Sequence, residues 1–238
     1  MTPGDPFMTA IQQPNVNLHF TPAETITEDG VVGADGVERK VDAIVCATGF
    51  DCTHRPRFPV VGKDGVNLQD KWSEQAEGYF GVTCPDMPNW VTFLGPNWPL
   101  AAGSIMGALD ANTDYAIALI QKLQSELVKS FSVSQQATDD FNEHTQTWAV
   151  DTVRNAPCRS WYKDNETGRL RAIYPGSSLH YRDMLSRVRW EDYHIEHAQK
   201  NRFAFMGMGR HKVQTAEGAT EDGSPYTQLW RVDKRIFD

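Results

Sequence analysis

The 238-residue chain lacks the sequence features that mark several classes of protein. Its four cysteines show no C-x-x-C spacing, which argues against a zinc site or a disulfide framework and favours reduced structural thiols. No apolar run approaches the roughly 20 residues that a membrane-spanning helix needs. Acidic residues outnumber basic ones, 31 to 23, without long blocks of either sign. The concentrated basic face of a nucleic-acid-binding protein is therefore not expected.

Two further absences narrow the class of protein. The first residues contain neither a basic segment nor an apolar core, so no secretory signal is recognised and a cytoplasmic location is expected. The pattern Gly-x-Gly-x-x-Gly occurs nowhere in the chain, although there are 18 glycines. The usual glycine-rich cradle for a pyrophosphate group is therefore missing.

The most informative segment that is present ends in three small residues. Val41–Val45 is a short apolar run rich in β-branched residues, which predicts a strand buried on both faces. It leads to Ala47-Thr48-Gly49, where a backbone can pass close to another group. Residues 1–50 as a whole predict a small β-meander, because short apolar runs there, Asn15–Phe20 among them, alternate with turn sequences.

The central part of the chain predicts a strand followed by a long helix. Trp90–Leu94 reads as a second buried strand that ends at Gly95-Pro96-Asn97. Ser104 is placed to cap a helix that runs to about Lys129, and a second helix is expected over Ser134–Thr152. The first helix carries a predicted apolar stripe at helical spacing. Its members are Ile105, Leu109, Ile117, Ile120, Leu123 and Leu127.

These patterns together predict an α/β fold within a single domain, residues 1–238. We expect an incomplete sheet and β-meander over residues 1–50, a loop, strand and long packing helix over 51–130, and an irregular, partly helical region over 131–238. A helix or turn is expected at Trp190–His197 in the last region.

The strand end and helix start near Ser104 form the strongest candidate site. A turn of Gly95, Pro96 and Asn97 followed by a Gly103-Ser104 helix start directs free backbone N–H groups and a positive dipole end at one place. Such a place suits an anionic or carbonyl-rich ligand. The alternative is that Ser104 only caps a core helix.

Other candidates come from side-chain chemistry. His180 and Tyr181 are candidates for an acid/base or carbonyl-polarising pair, the alternative being hydrogen-bonded core residues. His194 and His197 are spaced to share a helical face, but no third metal ligand is indicated, and a solvated turn is the preferred interpretation. Trp98, Trp161, Tyr162 and Tyr174 either line an apolar substrate cavity or are core aromatics.

Several of these segments resemble one family. A strand followed by Ala-Thr-Gly-Phe resembles the signature of class B flavin monooxygenases, which include the flavin-containing and Baeyer–Villiger monooxygenases. Leu94–Asn97 with Ser104 resembles the family's segment beneath the flavin ring. The resemblance implies FAD and NADPH as cofactors and assigns six residues to the flavin side. These are Thr48, Gly49, Gly95, Pro96, Asn97 and Ser104.

Later motifs extend the resemblance over most of the chain. Arg55–Gly62 is similar to the loop after the Ala-Thr-Gly strand, and Pro157–Tyr162 and Tyr174–Tyr181 are similar to motifs beside the substrate region. The likeness is closest to fungal Baeyer–Villiger-type enzymes, which implies oxygenation of a ketone or similar apolar substrate in secondary metabolism. Trp98, Arg159, Trp161, Tyr162 and Tyr174 are then expected on the substrate side.

Two motifs of the family are missing from the chain, and their absence leaves alternative functions open. Both dinucleotide-binding fingerprints are absent, so the chain alone is not expected to hold either cofactor tightly. Self-association or a companion chain that supplies the nucleotide-binding unit is therefore expected. The alternative functions are a cofactor-independent cyclase, isomerase or dehydratase acting on a polyketide or terpenoid, and a non-catalytic binding subunit.

Overall fold

The computed structural model describes residues 4–100, 104–164, 166–170 and 172–209, and it divides the chain into two compact units, Met1–Cys52 and Thr53–Asp238. Helices and small sheets are mixed in it, which confirms the predicted fold class. No helix among the described residues is long and apolar enough to cross a membrane.

The first unit contains one short helix and a three-stranded meander. Helix α1 spans Asp5–Ala10, and strands β1 (Ala23–Ile26), β2 (Gly30–Gly33) and β3 (Glu38–Lys40) pair antiparallel in chain order. The meander was predicted from its turn sequences and is confirmed.

An ion pair fixes the turn between β2 and β3. The Asp35 carboxylate lies 2.6 Å from the Arg39 guanidinium and accepts the Val37 backbone N–H at 3.1 Å. The Arg39 hydrogen bond lowers the pKa of Asp35 to about 2. The pair is thus charged at any pH above that range.

Three predicted strands are wrong. Residues 41–50, 15–20 and 90–94 belong to no strand. A strand that is buried on both faces lies within a larger sheet that other elements cover. The sheet of the first unit ends at β3, and no further described strand follows Lys40 in it. In the third segment, left-handed backbone at Asn89 (φ 58°) and Leu94 (φ 59°) limits any extended run.

The second unit is built around helix α3, Ile105–Ser125. It follows a short helix α2 (Leu68–Lys71) and leads into strand β4 (Val128–Val133) and helix α4 (Gln135–Ala149). The two long helices were predicted and are confirmed with slightly shorter bounds.

The end of the described chain adds one helix and one strand. Helix α5 covers Ser178–Leu185, and a 3-10 turn at Trp190–Asp192 leads into strand β5, Tyr193–His197, which pairs antiparallel with β4. The prediction of a helix or turn over Trp190–His197 is therefore correct only for its first three residues. Cross-strand pairing with β4 determines the rest.

The core of the second unit lies against a face of α3 that the predicted apolar stripe indicated only in part. The buried face carries Ala108, Ala111, Asn112, Tyr115, Ala116 and Leu119. Two members of the predicted stripe, Leu109 and Leu123, pack against this core, whereas Ile117 and Ile120 are 45% and 47% exposed. The buried face is the side of α3 against which α5 and β4 pack.

A second, smaller cluster encloses one cysteine. Cys84 is 2% exposed and packs with Leu68, Trp72, Ala76 and Met87. Burial raises the pKa of its thiol to about 12. Cys46 and Cys158 are exposed.

We expect Cys84 to resist alkylation by iodoacetamide near pH 8 in the folded chain, because it is both neutral and inaccessible. Cys46 and Cys158 should be modified under the same conditions. Peptide mass spectrometry reports each thiol, with a urea-unfolded sample as the control in which Cys84 also reacts. Rapid native modification of Cys84 would contradict the described packing.

Candidate functional site

The N-terminus of α3 has no side-chain cap among the described residues. Ser104 occupies the N-cap position in extended conformation, but its side chain makes no capping hydrogen bond to the described residues. The first turn contains no acidic residue. The free N–H groups and positive dipole end of a 21-residue helix are therefore not neutralised by a side chain of the described part of the chain. Gly103 lies outside the described residues.

The predicted ligand turn before α3 is buried. Gly95, Pro96 and Asn97 are all buried, and Asn97 adopts a left-handed conformation with φ of 63°. A Cβ at Gly95 would lie 2.6 Å from the Gly81 carbonyl oxygen. Glycine is thus required here by the chain's own backbone.

A buried amide pair ties this turn to α4. Asn97 Nδ2 donates to Asn142 Oδ1 at 2.6 Å, and Asn142 Nδ2 donates to the carbonyls of Thr138 (2.7 Å) and Gly78 (3.2 Å). Asn97 Oδ1 is buried and accepts no hydrogen bond from the described residues. A buried acceptor of this kind is costly unless a donor reaches it.

Trp98 lies in the core beside the turn. It is fully buried, and its Nε1 donates to Asn112 Oδ1 on α3 at 3.2 Å. Its ring centroid is 6.1 Å from that of Tyr181. Trp98 therefore fills space between α3 and α5.

His180 and Tyr181 are adjacent but face different surroundings. Tyr181 is fully buried and donates to the Phe80 carbonyl at 2.8 Å. Exposed His180 lies with Nδ1 2.6 Å from the Tyr174 hydroxyl. Burial raises the pKa of Tyr174 to about 12, so this hydroxyl keeps its proton at neutral pH. The structure thus pairs His180 with Tyr174, and the assignment of His180 and Tyr181 as catalytic stays a prediction.

The remaining predicted substrate residues lie toward the surface. Arg159 is exposed, and Trp161 is 52% exposed with its ring edge-on to Tyr162 at 5.7 Å. The Tyr162 carbonyl accepts the Ala172 N–H at 3.2 Å, two residues before Tyr174. This backbone contact brings the segment near the aromatic core, and its substrate role stays a prediction.

Thr48 and Gly49 belong to the first unit. Both are exposed, and Gly49 adopts φ of 79°, while a Cβ at this position would have nothing within 4 Å. Nothing in their own unit therefore requires glycine there except the positive φ. Their assignment to the flavin side stays a prediction.

Sequence reasoning missed three residues that shape the aromatic core. Trp148 on α4 stacks edge-on to Tyr174 (5.6 Å) and His180 (5.2 Å), and a Cβ at Gly176 would lie 2.4 Å from the Trp148 ring. Arg154 donates to the Pro175 carbonyl at 2.6 Å. In the sequence, the signal for this cluster was Trp148, a tryptophan within an otherwise polar helix.

The two histidines of β5 do not share a face as predicted for a helix. In a strand, residues three apart point to opposite faces, so His194 and His197 diverge. Within the described ranges there is no group of three His, Cys, Asp or Glu that would hold a metal ion.

Comparisons with known proteins decide the family. The FAD-binding monooxygenase stcW of Emericella nidulans is 52% identical over 237 residues, which are 100% of this chain and 39% of that protein. The FAD-binding monooxygenase moxY of Dothistroma septosporum is 52% identical over 239 residues, 100% of this chain and 38% of that protein. Along its whole length the chain is homologous to a C-terminal part of FAD-binding monooxygenases. No protein-family model matches it.

Solved structures agree with this family at the level of fold. Cyclohexanone monooxygenase from Rhodococcus sp. Phi1 bound to NADP+ matches with a TM-score of 0.65 at 24% identity, over 79% of this chain and 37% of that one. The chain corresponds to the C-terminal portion of the family and spans about two-fifths of the length of the relatives it matches. The resemblance proposed from the sequence is confirmed.

The described residues fit one end of an FAD molecule. Free N–H groups at α3 suit the carbonyl oxygens of a flavin ring, and Asn97 Oδ1 needs a donor such as a ring N–H. No binding site for the pyrophosphate of FAD is recognised, because the sequence holds no glycine-rich pyrophosphate cradle. The fit is therefore to the ring only.

The buried tyrosines generate a pH prediction. Burial raises the pKa of Tyr174 and Tyr193 to about 12, and it raises those of Tyr79, Tyr115 and Tyr181 as well, from an ordinary value of 10.0. The folded chain then binds more protons than the unfolded chain above pH 10, so its stability should be unchanged below pH 10 and fall between about pH 10 and 12. Absorbance at 295 nm should show that the tyrosines of the folded chain ionise at higher pH than those of the chain unfolded in urea. Tyrosine titration curves that coincide for the two samples would contradict this.

Proposed function

We propose that the chain supplies the ring-side wall of the flavin site and part of the substrate vestibule in an FAD- and NADPH-dependent monooxygenase. The reaction class is Baeyer–Villiger-like oxygenation of a ketone or a similar apolar substrate in fungal secondary metabolism. The single observation that supports it most is the 52% identity to FAD-binding monooxygenases along the full chain.

The proposed chemistry balances as follows. Molecular oxygen, NADPH and a proton convert a ketone into an ester, with NADP+ and water as the other products. Bound FAD would supply the redox chemistry that activates oxygen. The residues of this chain would bind, orient and exclude water.

The α3 N-terminus has the clearest role in this proposal. Its free N–H groups and dipole would favour electron-rich carbonyls and developing negative charge on the flavin ring. Gly95, Pro96 and Asn97 would set the position of this helix start by their packed turn. The resemblance also assigns Thr48 and Gly49 to the flavin side, where the missing Cβ of glycine would permit close backbone approach.

A cofactor-independent cyclase or isomerase is the second candidate. Two observations favour it: Trp98 fills the space beside the turn, and the buried Tyr174 hydroxyl orients the exposed imidazole of His180, which could act as an acid or base. The groove between α3 and α5 is lined by Leu179 and Arg182 but not by His180, which weakens this candidate.

The deciding experiment reconstitutes the complete enzyme. The chain is combined with the part of stcW that lies outside the 237 matched residues, together with FAD and NADPH. We expect a stoichiometric flavin absorbance band and ketone-dependent NADPH oxidation that consumes oxygen. A colourless assembly that converts substrate without NADPH would replace the oxygenase proposal by the second candidate.

A substitution at the helix start separates cofactor binding from folding. Ser104→Asp should cap α3 and raise the free energy of unfolding by about 0.5–1 kcal/mol. Its carboxylate would compete for the same N–H groups, so we expect FAD affinity in the reconstituted enzyme to fall about tenfold.

Ser134→Asp is the matched control, because Ser134 caps α4 by accepting the Ala137 N–H. It should change neither property appreciably. The proposed role of the α3 N-terminus is wrong if both variants bind FAD as the parent chain does.

A further inference from the structure

The first unit leaves an apolar segment without partners. Val45 and Phe50 are 91% and 96% exposed, and Val41 and Ile44 are each 44% exposed. Residues 42–50 form no backbone–backbone hydrogen bond to the described residues, and the Phe50 carbonyl accepts from the Cys52 thiol at 3.6 Å. We call residues 41–50 the open segment. Such a run of exposed apolar side chains and unpaired backbone groups is the profile of a strand that lacks its neighbours.

The second unit leaves one face of its main helix uncovered. Ile105, Met106, Ile117 and Ile120 are 43%, 65%, 45% and 47% exposed and recur at helical spacing. They form what we call the outer face of α3. Since another face of α3 already packs on the core, this helix is apolar on two sides, as helices enclosed on both sides are.

The lengths of the relatives indicate what covers these surfaces. The chain matches 39% of stcW and 38% of moxY, so roughly three-fifths of each relative has no counterpart in it. The missing glycine-rich cradles belong to strand–turn–helix units, whose parallel strands and packing helices are the elements that an open strand and an apolar helix face accept.

We propose that the open segment and the outer face of α3 are the docking surfaces for a polypeptide equivalent to the unmatched part of these relatives. The open segment adds to the sheet edge of that polypeptide, and the outer face of α3 packs against it. This inference rests on the proposed function for the identity of the partner. It goes further in assigning the residues that bind it.

The test uses the full chain and the part of stcW outside the matched residues as the probe. Light scattering with size-exclusion chromatography should show a one-to-one complex. Hydrogen exchange should slow at residues 42–50 upon binding, because their N–H groups become paired. FAD absorbance is recorded on the same sample.

Charged substitutions locate the contact. Val45→Asp and Ile120→Lys should each weaken the complex about tenfold or more, since each buries an unpaired charge. Ile26→Asp and Val153→Asp are the matched controls, because these side chains are 65% and 89% exposed but lie outside both surfaces. The controls should bind as the parent chain does.

The outcomes separate this inference from the proposed function. A complex in which residues 42–50 exchange hydrogen more slowly, but which takes up no FAD, supports the docking surfaces and overturns the oxygenase proposal. A chain that binds FAD stoichiometrically with no partner overturns the docking surfaces alone. Protection of residues 42–50 in a dimer of the chain itself, or a monomer that stays unprotected beside the probe, also overturns them.

Discussion

Two buried asparagines hold the centre of the second unit. Asn142 on α4 accepts from Asn97, and Asn112 on α3 accepts from Trp98, so consecutive residues of one turn are fixed to two different helices. Asn112 also donates to the Thr92 carbonyl at 3.4 Å. In a low-dielectric core these bonds are directional, and the loss of either amide would leave a buried donor unpaired. The direction of the turn, and with it the start of α3, depends on this pair.

The same arrangement explains why aromatic residues dominate the surroundings of the turn. Trp98, Tyr174, Tyr181 and Trp148 pack edge to face, and the polar atoms of Trp98, Tyr174 and Tyr181 each have a defined partner. Tyr181 reaches the Phe80 carbonyl, while Tyr174 reaches His180. The cluster packs beside α3, whose N-cap residue Ser104 makes no side-chain capping hydrogen bond to the described residues. Rigid packing around a helix terminus is the kind of support that a cofactor site requires.

Much of the architecture was accessible from local patterns. The meander followed from its turns, and both long helices begin where the sequence predicted, with Ser104 and Ser134 at their N-cap positions. The predicted strand at residues 41–45 is wrong, because a strand needs tertiary neighbours that no local pattern supplies. Its composition describes a fully enclosed environment, which the described residues do not provide. Likewise Ile117 and Ile120 of the predicted stripe of α3 are half exposed, whereas three alanines and an asparagine of the same helix are buried.

The sequence by itself determined the resemblance to flavin monooxygenases, the starts of the two long helices, and the absence of the Gly-x-Gly-x-x-Gly pattern, because each depends on residue types at short spacing. Only the tertiary structure decided that Trp98 and Tyr181 are core residues, that Tyr174 is the partner of His180, and that His194 and His197 lie on a strand. These facts depend on contacts between residues distant in the chain. Packing between elements, which no local pattern encodes, selects which side of each element is enclosed.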